Sequence, residues 1–118
     1  MNLLPLTTST SAGGFRLNFL EAGPPDGPPV LLVHGSGTWL YSFRHLIAPL
    51  SALGCRILAL DMPGHGYTQP QPGVRPTYDL DMMVRTLAAF LDEREVTAPV
   101  RLVGNSWGGH KSGGRRAA

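Results

Sequence analysis

Short apolar runs recur along the chain and are separated by longer mixed segments. Residues 30–33, 56–60 and 100–103 are almost entirely aliphatic, as is typical of strands buried on both faces of a sheet. In residues 15–21, apolar side chains occupy every second position from Phe15. This alternation predicts a strand with one face buried and one exposed.

Two segments between these runs have helical periodicity. The first begins near Ser42, with Gly54 as its stop, and it contains Pro49, which should kink or split the helix. The second covers residues 79–94, with Asp79 or Thr77 as its cap. The apolar stripe predicted for this second helix comprises Leu80, Met83, Val84, Leu87, Ala88 and Leu91.

Proline- and glycine-rich segments at about 23–29 and 63–76 predict loops. Strands that alternate with helices indicate right-handed crossovers and an α/β fold with a mostly parallel sheet and flanking helices. A chain of 118 residues has room for one domain at most.

Charge gives little support for a nucleic-acid partner. The net charge is +2, but three cations, Lys111, Arg115 and Arg116, lie in the last nine residues, and without them acidic residues outnumber basic ones by one. A basic end without interleaved aromatic residues is weak evidence for nucleic-acid binding. We expect a small-molecule substrate, with no nucleic-acid partner.

Several other classes of function find no support in the sequence. No run is long enough for a membrane span and residues 1–6 do not resemble a secretion signal, so we expect a cytoplasmic protein without a membrane partner. Cys55 is the single cysteine, and neither metal-binding spacings nor a complete phosphate-binding loop occurs. We expect no cofactor and no metal.

The strongest chemical motif is Gly104-Asn105-Ser106-Trp107-Gly108, directly after the apolar run 100–103. It has the G-x-S-x-G form of a nucleophile elbow, in which a serine sits on a sharp turn from a strand to a helix. Such a pentapeptide would arise by chance in roughly one glycine-rich chain of this length in ten. Its weight therefore depends on the sequence around it.

Three loops follow the three predicted parallel strands, where α/β sheets keep their chemistry. They begin with His34-Gly35-Ser36-Gly37, Asp61-Met62-Pro63-Gly64-His65-Gly66 and Gly104-Asn105-Ser106-Trp107-Gly108-Gly109. In this order and spacing they resemble the N-terminal half of the α/β-hydrolase family, over about residues 15–109. Glu21-Ala22-Gly23 also resembles the usual entry to that family's first loop.

The resemblance implies a role for each residue of the elbow. Ser106 would be the nucleophile, and Gly104 and Gly108 would be needed because side chains there would clash with the adjacent strand and helix. The backbone N–H groups of Ser36 and Trp107 would form the oxyanion hole.

The remaining polar residues of these loops have structural interpretations. The resemblance makes His34 and Gly35 a structural motif, although His34 as a base is an alternative. Asp61 is expected to fix its loop instead of acting as a triad acid, and His65 to brace its turn, with substrate contact as the alternative. His110 would point away from Ser106 on a following helix. Ser106 itself could be an ordinary serine in a glycine-rich turn.

The chain also departs from the family. Members carry the triad acid and histidine after the nucleophile, and neither is recognisable here. We therefore expect 1–118 to be a single partial α/β-hydrolase domain, truncated after the elbow, ordered over about 15–109 and with an atypical tail at 110–118. A lost reading frame near His110 or an artificial end is the hypothesis for that tail, and we expect little or no activity from this chain alone.

The sequence thus predicts a serine hydrolase acting on a small ester or related carbonyl compound. Within the family, the elbow and the His-Gly-Ser-Gly loop also resemble C–C bond hydrolases, and the region from Trp39 to Arg44 is similar to haloalkane dehalogenases, which use an aspartate nucleophile where this chain has Ser106. From another class, the chain could be a non-catalytic binding or interaction module. An exposed sheet edge predicts self-association.

Overall fold

Alternate side chains of the central strands point to opposite faces of a single sheet, and both faces are covered. The computed structural model describes residues 7–34 and 40–104. The strands are β1 (Thr8–Ala12), β2 (Phe15–Ala22), β3 (Pro29–Val33), β4 (Arg56–Leu60), β5 (Gln69–Pro70) and β6 (Arg101–Gly104). The helices are a 3₁₀ helix (Leu40–Phe43), α1 (Ile47–Ala52) and α2 (Leu80–Glu93).

The sheet is mixed, with the order β1-β2-β4-β3-β6 and with β5 beside β2. Strand β3 pairs in parallel with β4 on one side and with β6 on the other. Strand β2 is antiparallel to β1, β4 and β5. The three strands predicted to be parallel are therefore parallel, and the α/β fold is confirmed.

Each face of the sheet carries its own apolar cluster. On one face, Leu31 of β3 and Leu58 of β4 pack with Phe90 of α2. On the other face, Leu32 and Ala59 pack against the 3₁₀ helix and Ile47 of α1. Because both faces are covered, β2 also buries Asn18 and Leu20, so the prediction that its second face is exposed was wrong there.

The helix predicted from about Ser42 is split, as Pro49 suggested. The chain forms the 3₁₀ helix, a turn, and then α1, in which Pro49 is the third residue. Proline is tolerated there because the N–H groups of a helix's first turn have no partner within the helix. Gly54 follows with φ of +87°, which is the conformation expected of a glycine stop.

Helix α2 lies where the periodicity predicted it, but it is rotated relative to the predicted stripe. Its buried residues are Met82, Met83, Thr86 and Phe90. Leu80 is 58% exposed. Leu87 and Leu91 are only partly buried against the core cluster, and together with Leu102 of β6 they line a cavity of about 250 Å³.

Strand β1 was not predicted, because Thr8–Ser11 contains no apolar residue. It pairs with β2 through the turn Gly13–Gly14, whose φ angles are +61° and +84°. Two consecutive positive φ angles are what a two-residue hairpin turn of type I′ requires. The two glycines therefore allow the turn, and residues 8–12 form a strand because they pair with β2.

None of the helices within residues 7–34 and 40–104 is long and apolar enough to cross a membrane.

We expect Gly23→Ala to lower the free energy of unfolding by about 2–4 kcal/mol. Gly23 has φ of +81°, and a Cβ there would overlap the carbonyl oxygen of Cys55. Gly73→Ala is the matched control, since Gly73 has φ of +84° but no atom within 4 Å of an added Cβ. Urea unfolding should show a loss of only about 1–2 kcal/mol for the control; equal losses would contradict the steric account.

The pH dependence of helix α2 should follow Asp79. Its carboxylate accepts a hydrogen bond from the Met82 N–H at 2.8 Å, and this bond lowers the pKa of Asp79 below its ordinary value of 3.8. The folded-state pKa is the lower one, so the stabilisation is present above the unfolded-state pKa and is lost as the pH falls through the folded-state pKa. Asp79→Asn keeps a capping side chain that does not titrate.

Thermal melts of the wild type and Asp79→Asn between pH 7 and about pH 3 test this expectation. The wild type should lose more of its midpoint temperature than the variant does over this range. Parallel loss in the two proteins would show that the cap contributes nothing to acid sensitivity.

Candidate functional site

The three predicted loops leave the sheet side by side. Val33, the last residue of β3, pairs with Leu60 on one side and with Gly104 on the other. His34 and Asp61 therefore follow directly at one edge, and Gly104 ends the neighbouring strand in the same row. This is the carboxyl edge of the parallel strands, where the chain crosses from one side of β3 to the other and where ligands bind in α/β sheets.

Five of the predicted site residues lie outside the described residues. They are Gly35, Ser36, Ser106, Trp107 and Gly108. His110 and the tail 110–118 lie outside them as well. The described part of the site consists of His34, Asp61 and Gly104 with their neighbours.

The carboxylate of Asp61 is fully buried and accepts hydrogen bonds from three separate segments. Its Oδ2 accepts from the side-chain amide of Asn18 at 2.9 Å and from the Tyr67 N–H at 3.0 Å. Its Oδ1 accepts from the Leu40 N–H at 2.7 Å. Strand β2, the loop after β4 and the start of the 3₁₀ helix are thus held to one side chain.

The backbone of Asp61 is fixed by the same neighbours. Its N–H donates to the Asn18 carbonyl at 2.9 Å, and its carbonyl accepts from the Thr68 hydroxyl at 2.6 Å. The Thr68 oxygen in turn accepts from the Asn18 N–H at 2.9 Å. A buried ionisable group requires such compensation because its transfer from water is costly, and no ion pair to Asp61 occurs within the described ranges.

Gly66 leaves the space that this arrangement needs. Its φ is +53°, and a Cβ there would overlap the Asp61 carboxylate. The loop can therefore fold back over Asp61 only with glycine at this position. The Gly64-His65-Gly66 pattern seen in the sequence has a local steric explanation.

His34 is also fully buried, and its Nε2 accepts a hydrogen bond from the Met62 N–H at 2.9 Å. A backbone N–H can only donate, so Nε2 carries no proton and the ring is bound in its neutral form. That nitrogen is occupied in holding the loop after β3 to the loop after β4. This geometry supports the interpretation of His34 as a structural residue.

His65 packs its ring edge against His34, with the centroids 4.9 Å apart. Its Nδ1 lies 3.1 Å from the Pro63 carbonyl oxygen within the same turn. The contact with Pro63 is local to the loop after β4, and the contact with His34 joins this loop to the loop after β3.

Sequence reasoning missed Asn18, Thr68 and the Leu40 N–H as partners of Asp61. Of the three, only Asn18 could have been suspected from the sequence. It is a polar residue between Leu17 and Phe19, and a polar side chain buried in a strand needs a hydrogen-bond partner. Thr68 and Leu40 carried no such signal, because their role depends on how the loops fold back. Among the described residues, no group of three or more His, Cys, Asp or Glu side chains could hold a metal ion.

A sequence profile of the alpha/beta hydrolase fold matches residues 28–110, a range that includes all three loops. The chain belongs to the alpha/beta hydrolase fold family. The family and fold that the sequence predicted are thereby confirmed.

Similar proteins of this family include two curated enzymes. The haloalkane dehalogenase of Psychrobacter cryohalolentis is 36% identical over 94 residues, which is 80% of this chain and 30% of that enzyme. Epoxide hydrolase A of Mycobacterium tuberculosis is 35% identical over 104 residues, covering 88% and 32% of the two chains. The chain therefore spans about a third of the length of these relatives.

A solved structure gives the same picture. Epoxide hydrolase A of Mycobacterium thermoresistibile superposes with a TM-score of 0.79 at 30% identity, covering 89% of this chain and 32% of that one. The relatives share a hydrolase fold but not one substrate.

We expect Asp61→Asn to lower the free energy of unfolding by about 2–3 kcal/mol. The substitution would turn one carboxylate oxygen into an N–H₂ group that faces N–H donors, leaving buried groups unpaired. Asp26→Asn makes the same charge change at an exposed loop position and should shift the free energy by no more than about 0.5 kcal/mol. Similar urea midpoints for the two variants would refute the role of Asp61 as the common anchor.

Proposed function

We propose that the protein carrying this chain is a serine hydrolase that acts on an ester or related carbonyl substrate. Ser106 is the nucleophile, and the backbone N–H groups of Ser36 and Trp107 stabilise the oxyanion. The observation that carries the proposal is the shared register of Val33, Leu60 and Gly104, which starts the three motif loops at one sheet edge. Asp61 and His34 do not react in this proposal; their hydrogen bonds hold the loops after β3 and β4 in place.

The proposed reaction has two acyl-transfer steps. The Ser106 oxygen attacks the substrate carbonyl carbon and its proton passes to a general base. The tetrahedral oxyanion then collapses as the base gives that proton to the departing alkoxide oxygen, which leaves as an alcohol. Water then attacks the acyl-enzyme ester and releases a carboxylic acid and free Ser106. We assign the base to neither His34 nor His65, because Nε2 of His34 accepts from the Met62 N–H and Nδ1 of His65 lies at the Pro63 carbonyl.

A serine nucleophile at position 106 does not suit the two reactions for which the relatives are named, dehalogenation of haloalkanes and hydrolysis of epoxides. Haloalkanes and epoxides react at saturated carbon, and a serine oxygen that attacked such a carbon would form an ether. Water cannot cleave an ether as it cleaves an ester, so the enzyme would be consumed in one turnover. An acyl substrate instead gives an ester intermediate that water can hydrolyse.

Hydrolysis of a haloalkane or an epoxide is the second candidate function. It is favoured by the identities of 36% and 35% to enzymes with those names. It would require another residue as nucleophile, and Ser106 would then be dispensable for catalysis.

Fluorophosphonate labelling tests the nucleophile directly. The protein is isolated from its natural source, so that any acid and base that act with Ser106 are present, and the modified peptide is mapped by mass spectrometry. We expect labelling at Ser106, loss of labelling in Ser106→Ala introduced at the genomic locus, and normal labelling in Ser9→Ala. Ser9 is an exposed serine of β1 and serves as the matched control.

Substrate assays separate the two candidates. Hydrolysis of p-nitrophenyl butyrate should fall by at least about a thousandfold in Ser106→Ala, and 1-bromobutane and styrene oxide should not be turned over. Halide release or diol formation that persists in Ser106→Ala would favour the second candidate. An unlabelled serine and no turnover of any of these substrates would contradict the proposal and indicate a non-catalytic binding module.

A further inference from the structure

Tyr78 has a backbone conformation that its place in the sequence does not explain. Its φ is +55°, in the left-handed region that a bulky side chain rarely occupies. Glu95 also has a positive φ, but it follows the last turn of α2. There the N–H groups of Glu95 and Val96 bond to the carbonyls of Asp92 and Leu91, which is a common way for a helix to end. Tyr78 lies just before the cap of α2, and a helix start does not require a positive φ.

Contacts with other parts of the chain hold Tyr78 in this conformation. Its ring lies against Phe15 of β2, with the centroids 6.5 Å apart. It also lies beside Gly64 of the loop after β4, where an added Cβ would be 3.2 Å from the Tyr78 Cε1. The Tyr78 N–H donates to Met82 Sδ at 3.3 Å. A strained residue persists only where its surroundings determine it, and here they join the start of α2 to β2 and to the loop after β4.

The contact with Gly64 puts the Tyr78 ring beside the turn that supports the candidate site. His65 follows Gly64, and its ring packs against His34 with the centroids 4.9 Å apart. His34 begins the loop that contains Ser36. Direct contacts therefore lead from the Tyr78 ring to the base of the loop after β3. Tyr78 is 45% exposed, so burial in the core does not account for its strained backbone.

We propose that Tyr78 is a positioning residue for the acyl transfer described above. Its ring holds the turn at Gly64 and His65 against His34, and this contact fixes the loop whose Ser36 N–H stabilises the oxyanion. The role rests on the proposed function, since Ser36 matters in this way only if an oxyanion forms. An oxyanion donor acts most strongly in the transition state. Displacement of the loop should therefore lower kcat and leave KM nearly unchanged.

Kinetics with p-nitrophenyl butyrate test this role in the protein isolated from its natural source, with variants introduced at the genomic locus. Tyr78→Gly removes the ring, and glycine adopts the positive φ without strain, so the variant should remain folded. We expect kcat to fall by about tenfold or more and KM to change by less than about twofold. Tyr78→Phe keeps the ring and should retain most of kcat. Leu53→Ala is the control at an exposed position before β4, and it should leave both constants unchanged.

A double-mutant cycle tests the contact between the ring and the turn. Gly64→Ala puts a Cβ against the Tyr78 ring, and it also strains the backbone at φ of +82°. Only the first effect depends on the ring. The loss of kcat caused by Gly64→Ala should therefore be at least about threefold smaller in the Tyr78→Gly background than in the wild type.

Three results would overturn the role of Tyr78 in an enzyme that is labelled at Ser106. They are an unchanged kcat in Tyr78→Gly, an equal loss of kcat in Tyr78→Phe, and independent effects of the substitutions at positions 64 and 78. A lower urea midpoint for Tyr78→Gly with unchanged kinetic constants would make its role purely structural and would overturn the proposal as well. A wild type that is neither labelled nor active on p-nitrophenyl butyrate would refute the proposed function, and the role of Tyr78 with it.

Discussion

The buried carboxylate of Asp61 is the interaction on which the candidate site depends. A carboxylate inside a protein needs hydrogen-bond donors on both oxygens, and here they come from Asn18, Leu40 and Tyr67. These residues belong to three segments that are distant in sequence. Satisfying one side chain therefore fixes the positions of β2, the 3₁₀ helix and the loop after β4 relative to one another. The Met62 N–H bond to His34 adds the loop after β3 to the same assembly.

The hydrogen-bonded residues around Asp61 lie at one edge of an apolar sheet, and the strand register of that sheet sets where the loops begin. The parallel register around β3 puts Leu60, Val33 and Gly104 in one row, and helices cover both faces. Loops at such an edge can vary while the strands below remain unchanged. The chain is 36% identical over 94 residues to a haloalkane dehalogenase and 35% identical over 104 residues to an epoxide hydrolase, two enzymes that are named for different substrates.

Helix α2 shows the limits of periodicity as a guide to packing. Its extent and its Asp79 cap followed from local sequence, because capping and hydrophobic spacing are local effects. The face that it buries did not follow, because Met82 and Phe90 are buried with apolar residues of β2 and β4 that are distant in sequence. The apolar residues left over line a cavity beside β6.

The sequence by itself determined the parallel strands, the α/β fold class, the break at Pro49 and the order of the three loops, since each rests on hydrophobic runs or residue-specific backbone limits. It also placed His34, Asp61 and Gly104 at strand ends. Only the tertiary structure decided that β1 pairs with β2, that Asn18 and Thr68 serve Asp61, and that Gly66 makes room for its carboxylate. These outcomes depend on which segments meet in space, because a hydrogen bond or an overlap between residues tens of positions apart leaves no periodic trace in the chain.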